Sequence, residues 1–111
     1  MDNFKQLIGE LSQVVGQYHV LHSPVDLALY DCDAETLDVA KPDLVVLPGS
    51  SKEVAEVIKI ANKYKIPFTP RGAGTGLSGG ATPVMGGISL VLTRMNKIIS
   101  IDPDEQIAHV E

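Results

Sequence analysis

The sequence predicts an α+β fold built on a βαβ unit, with a small, mostly parallel sheet flanked by helices. Three observations carry this. Leu44-Val45-Val46-Leu47 is a short apolar run bounded by Pro42 and Pro48, the pattern of a buried strand. Ser50 and Glu53 then make a Ser-x-x-Glu capping box. After it Val54, Val57, Ile58 and Ala61 share one helical face, with Lys52, Glu56, Lys59 and Lys63 mostly off it. Residues 66–69 follow as a second strand. A strand, a helix over 51–64 and a strand at this spacing imply parallel pairing and a right-handed crossover.

The remaining elements follow in chain order. Phe4, Leu7, Ile8, Leu11, Val14 and Val15 recur at helical spacing, so residues 3–16 read as an amphipathic packing helix that stops at Gly16. Its polar face carries Lys5 alone as a cation, too little for a membrane-surface helix. Residues 24–30 read as a short helix with Pro24 in its first turn. Asp31 to Lys41 is polar and irregular, a connection. Residues 1–40 thus form a helical lead-in and residues 41–111 the main lobe. Ile88 to Leu92 is a third strand. Ile98–Ile101 and Gln106–Val110 flank Asp102-Pro103-Asp104-Glu105, a turn between antiparallel strands. Alternation of Ile107 and His109 with Ala108 and Val110 leaves the facing of that hairpin open.

The chemistry of the chain concentrates in Pro70-Arg71-Gly72-Ala73-Gly74-Thr75-Gly76-Leu77-Ser78-Gly79-Gly80, with five glycines in eleven residues. Glycine admits positive φ and lets the backbone approach a bound group. Successive N–H groups in such a loop form a concave anion site. The loop opens at the carboxyl end of a parallel strand, where open α/β sheets bind ligands. A phosphate or pyrophosphate cradle is the reading, with Arg71 a permanent cation at its entrance. Thr75 and Ser78 are hydroxyl donors to phosphate oxygens. A flexible linker is the bland alternative, but apolar runs flank the loop closely. A Walker loop ends in Gly-Lys-Ser/Thr, and no lysine lies between Lys65 and Lys97. A G-x-G-x-x-G match exists at Gly74, Gly76 and Gly79, but Gly80-Ala81-Thr82-Pro83 and Gly86-Gly87 do not open the helix it requires.

Composition narrows the class. With 111 residues there is room for one modest core, and the 44% apolar content is ordinary for a globular chain. A net charge of −5 and the absence of tryptophan argue against nucleic-acid binding. No apolar run reaches the about eighteen residues of a membrane span, and no secretory signal is visible. A cytoplasmic protein is the expectation. The lone Cys32 sits in Asp31-Cys32-Asp33, which disfavours a reactive thiolate. His19 and His22 are three apart and lack further ligands at compatible positions, so no metal is expected. Ser78 lacks a G-x-S-x-G elbow and is no hydrolase nucleophile.

The segment Pro70 to Ala81 resembles the first flavin-pyrophosphate loop of the FAD-linked oxidases of the vanillyl-alcohol oxidase / p-cresol methylhydroxylase type, and within them the glycolate oxidase and D-lactate dehydrogenase branch. Pro42-Asp43-Leu44-Val45-Val46-Leu47-Pro48 with Ser51-Lys52-Glu53-Val54 is similar to the family's strand and helix start before the loop. Residues 87–98 are similar to the strand after it, and Asp26, Leu27, Tyr30 and Asp31 to its lead-in. The resemblance covers roughly residues 20 to 111. It implies the first lobe of a two-lobed FAD-binding domain, with the second lobe and substrate domain beyond Glu111. It implies FAD on Pro70, Arg71, Gly72, Ala73, Gly74, Thr75, Gly76, Leu77, Ser78 and Gly79, mostly through N–H groups from Gly72 to Gly76. Where some relatives attach flavin to a histidine, this sequence has Thr75, so the flavin is non-covalent there. The parent enzyme would pass a hydride from a small 2-hydroxy acid to the flavin, and no residue here is assigned to that step. Further flavoenzyme subunits are implied partners. The alternative is a stand-alone remnant without flavin or activity, which covers its exposed edges by homodimerisation or partner binding.

Overall fold

The computed structural model describes residues 2–34 and 39–111. The elements are α1 (Asp2–Val15), β1 (Val20–Leu21), α2 (Pro24–Ala28), β2 (Leu44–Val46), α3 (Ser51–Lys63), β3 (Phe68–Arg71), β4 (Ile88–Val91), β5 (Ile98–Asp102) and β6 (Ile107–Val110). A four-stranded sheet runs in the order β1-β2-β4-β3, and β5 and β6 form a separate antiparallel pair. The architecture is the expected α+β one.

Helix α1 ends where Gly16 takes φ 91°, a conformation a side chain would disfavour. In α3 the capping box forms with one change of partner. Ser50 Oγ accepts from Glu53 N at 3.2 Å, while Glu53 Oε1 accepts from Gly49 N at 2.9 Å rather than from Ser50. Helix α2 is capped by Ser23, with Pro24 at its start. Part of the connection expected over residues 31–41 lies outside the described residues.

Strands β2 and β3 are parallel, as expected, but they are not neighbours. Strand β4 lies between them, parallel to both, with Leu44 and Phe68 each opposite Ile88. Strand β3 spans 68–71 rather than 66–69, so Pro70 and Arg71 are strand residues. Pro70 is tolerated because β3 is the sheet edge, where a missing N–H breaks no ladder. Strand β1 adds antiparallel to the other edge, Val20 opposite Val46. Two residues are too few to show any periodicity, so this strand had no sequence signal.

Leu44, Val46, Ile88 and Leu90 point to the helical side and pack with Leu7, Leu11 and Val15 of α1 and Val57 and Ala61 of α3. The alternate residues Val45, Ser89 and Val91 are also buried, so both faces of the parallel strands are covered. Helices α1 and α3 are further joined by Lys63 Nζ to Glu10 Oε1 at 2.6 Å.

The β5–β6 hairpin behaves differently. Every residue in both strands is exposed, Ile98, Ile99, Ile101, Ile107 and Val110 included. Neither face is buried, which answers the facing left open by the sequence. The radius of gyration is 15.0 Å, against about 13 Å for a compact chain of this length. The protruding hairpin accounts for the difference.

Candidate functional site

The glycine loop connects β3 to β4 without a helix and begins at the carboxyl end of β3. Around it lies an open hollow of about 380 Å³ lined by residues 70–78, Gly80 and Ala81, with Asp33 at its side. Nine of the ten candidate residues line this hollow. Gly79 does not. It takes φ 77° and its carbonyl accepts from Thr82 N at 3.1 Å, so it makes the turn out of the loop.

The glycines differ in why they are glycine. Gly74 takes φ 76°, which is costly for any L side chain. Gly76 does not lie at positive φ, and a Cβ there would meet only Asp33 Oδ2, at 3.6 Å. At Gly72 and Gly80 a Cβ would meet nothing within 4 Å. The space above those two positions is open, as a close-lying anion requires.

Arg71 departs from the sequence expectation of a cation at the entrance. The residue as a whole is 9% exposed. Its Nη1 donates to Cys32 O at 2.6 Å, and its guanidinium lies 5.3 Å from the centre of the Tyr30 ring. A Cβ on Gly74 would overlap Arg71 Nη2. Residues 30–34 therefore run beside the loop, and Ala34 N donates to Gly76 O at 2.9 Å. The Cys32 thiol is pushed above its usual range, first by burial and then by the Asp31 hydrogen bond and charge, with Arg71 opposing.

The contact of residues 30–34 with the loop was not read from sequence. The only signal is a complementary pair, the acidic stretch Asp31-Cys32-Asp33 and the arginine forty residues later. His19 stays apart from the site, with Nδ1 2.8 Å from Val15 O. No group of three or more His, Cys, Asp or Glu among the described residues is placed to hold a metal. Among the same residues no helix is long and apolar enough to cross a membrane.

The hollow suits a pyrophosphate: it is open, glycine-walled and sits at a strand's carboxyl end. It offers no aromatic wall for a ring system, since Tyr30 is occupied by Arg71.

The FAD binding domain family matches residues 42–111. Glycolate oxidase subunit GlcD of Escherichia coli K12 is 36% identical over 101 residues, covering 91% of this chain and 20% of that protein. D-lactate dehydrogenase of Anaerostipes hadrus is 44% identical over 72 residues, 65% of this chain and 15% of that protein. Among solved structures, p-cresol methylhydroxylase with substrate bound superposes with a TM-score of 0.79 at 30% identity, over 94% of this chain and 21% of that one. The chain thus spans about a fifth of the length of the curated relatives it matches.

Proposed function

The chain belongs to the FAD binding domain family, and on that premise we propose that it supplies the pyrophosphate loop of a flavin-dependent 2-hydroxy-acid oxidoreductase. The observation that carries the reading is the hollow over Gly72–Gly76, with its unfilled positions above Gly72 and Gly80. The FAD of this family, when bound, supplies the hydride acceptor. The residues of this chain bind and orient it. Backbone N–H groups from Gly72 to Gly76 donate to the phosphate oxygens, with Thr75 and Ser78 hydroxyls beside them. Pro70, Ala73 and Leu77 shape the wall, and Gly79 turns the chain away. The substrate class, glycolate or D-lactate, rests on the names of the relatives. Partner subunits rest on one of those names too, a glycolate oxidase subunit.

The test is a titration of the ¹⁵N-labelled 111-residue chain with FAD and, separately, inorganic pyrophosphate. Both are expected to shift the amides of residues 72–79, with affinity no tighter than weak. A cofactor site buries most of its ligand, and this hollow walls only the pyrophosphate. No change in those amides at saturating FAD removes the site reading. Stoichiometric, tightly held yellow flavin would instead refute the claim that this loop is only part of a site.

The β5–β6 hairpin favours a second reading, a stand-alone remnant that self-associates. A two-stranded ribbon with isoleucines on show is marginal in water unless something covers it. Light scattering tests the self-association: a stable, strictly monomeric chain removes the dimer. Reading the coding sequence past codon 111 separates a continuing flavoenzyme from a remnant.

A further inference from the structure

We propose that Arg71 is a positioning residue. Its guanidinium ties a strap, residues 30–34, against the glycine loop, and so holds the loop's N–H groups in their anion-binding arrangement. The inference rests on the pyrophosphate reading of the loop.

A loop with five glycines in eleven residues loses much conformational freedom on ordering, because glycine loses more than any other residue. A ligand must supply that ordering unless the protein has already done so. The strap does it at two points. Ala34 N holds Gly76 O at 2.9 Å. Arg71 holds Cys32 O at 2.6 Å, with the Tyr30 ring 5.3 Å from its guanidinium and Gly74 close to it. Asp33, 7% exposed, sits beside Gly76. The guanidinium is thus engaged on several sides by its own chain. A planar fork combines the carbonyl bond with a flat face near the Tyr30 ring. A lysine ammonium gives the bond and not the flat faces. The phosphates are then bound by backbone N–H groups, and the Arg71 guanidinium, engaged by Cys32 O and the Tyr30 ring, serves the strap rather than the phosphates.

Three variants of the full 111-residue chain test this: R71K, R71Q and A34P. Ala34 is exposed and lies outside the hollow's lining. A34P deletes the N–H to Gly76 O without changing charge, and it serves if the Arg71 variants do not fold. The readouts are the heteronuclear NOE of the Gly72–Gly76 amides without ligand, and FAD affinity across a salt series. All three variants are expected to loosen these amides and to weaken FAD by about tenfold. The salt dependence of binding in R71K and A34P should stay that of the wild type, since neither loses a charge. Unchanged loop order in A34P and the folded Arg71 variants overturns the strap. So does an R71K chain that binds like wild type while R71Q loses both affinity and salt dependence, because Arg71 is then a phosphate ligand. If the wild type shows no FAD-dependent shifts but the variants still loosen the loop, the strap stands and the pyrophosphate reading falls.

Discussion

Gly87→Ala is the sharpest perturbation of the fold, and its size follows from the structure. Gly87 takes φ 74° just before β4. A Cβ there would overlap Pro67 O, and would stand 2.9 Å from Pro67 Cγ and 3.0 Å from Pro67 C. The obstacle is mostly backbone, and it cannot rotate away. Pro67 O also accepts from Ile88 N at 2.9 Å, so moving it breaks the first rung between β3 and β4. The left-handed conformation costs an alanine about 1–2 kcal/mol. Forcing the backbones apart adds about 1–3 kcal/mol. The sum, about 2–5 kcal/mol, is a large part of the about 5–15 kcal/mol that holds a domain folded.

Urea unfolding followed by circular dichroism measures this, with Gly72→Ala as the control. Gly72 has open space at its Cβ position and no positive φ. Its substitution should leave stability within about 0.5 kcal/mol of wild type, yet weaken FAD. Gly87→Ala should lower the midpoint by about 1 M or more at an unchanged slope. A Gly87→Ala chain as stable as wild type would refute the assignment of Gly87 to the strand junction. Equal destabilisation by both would refute the division between structural and ligand-facing glycines.

Gly74→Val should abolish FAD-induced shifts and leave the fold largely intact, because the Cβ meets the movable end of Arg71 rather than backbone; full retention of binding sinks the loop assignment. Gly76→Val should be milder, since that position has neither positive φ nor a close neighbour. Ser89 is fully buried with no hydrogen-bond partner for its hydroxyl among the described residues; Ser89→Ala should be neutral or stabilising by up to about 1 kcal/mol in thermal unfolding, and a clear loss of stability would mean the hydroxyl is bonded. The Cys32 thiol keeps its proton beyond the usual thiol pH range. Iodoacetamide should therefore alkylate the folded chain more slowly than the urea-unfolded one near pH 8, with the gap closing as pH rises. Equal rates at pH 8 would contradict the burial and acidic surroundings given for it.

What the sequence made legible is what local physics controls. Helix α3 was readable because its cap, its apolar face and its charges lie within fourteen residues. Helix α1 stops at Gly16 for the reason glycine usually stops a helix. The place of β4 between β2 and β3 was not readable. Parallel strands separated by a helix predict orientation, not adjacency, and β4 has the same apolar character as its neighbours. The two-residue shift of β3 has a similar origin. Proline looks like a strand breaker until the strand is known to be an edge. The strap was hidden most thoroughly, since Ala34 and Gly76 meet through backbone groups that any sequence would possess.

The glycines show how far a motif can be taken. In the sequence they form one class, small residues dense enough to suggest a phosphate loop. In the structure they separate by what occupies the space a side chain would need. At Gly87 it is the protein's own backbone, so the residue serves the sheet. At Gly74 it is the Arg71 side chain, so the residue serves the loop's bracing. At Gly72 and Gly80 it is nothing. Openness alone does not mark a ligand site, because Gly9 in α1 is equally open. Gly72 and Gly80 differ from it in lying on the hollow at the end of β3. The motif and the empty Cβ positions together single out Gly72 and Gly80 as the places to test for ligand contact.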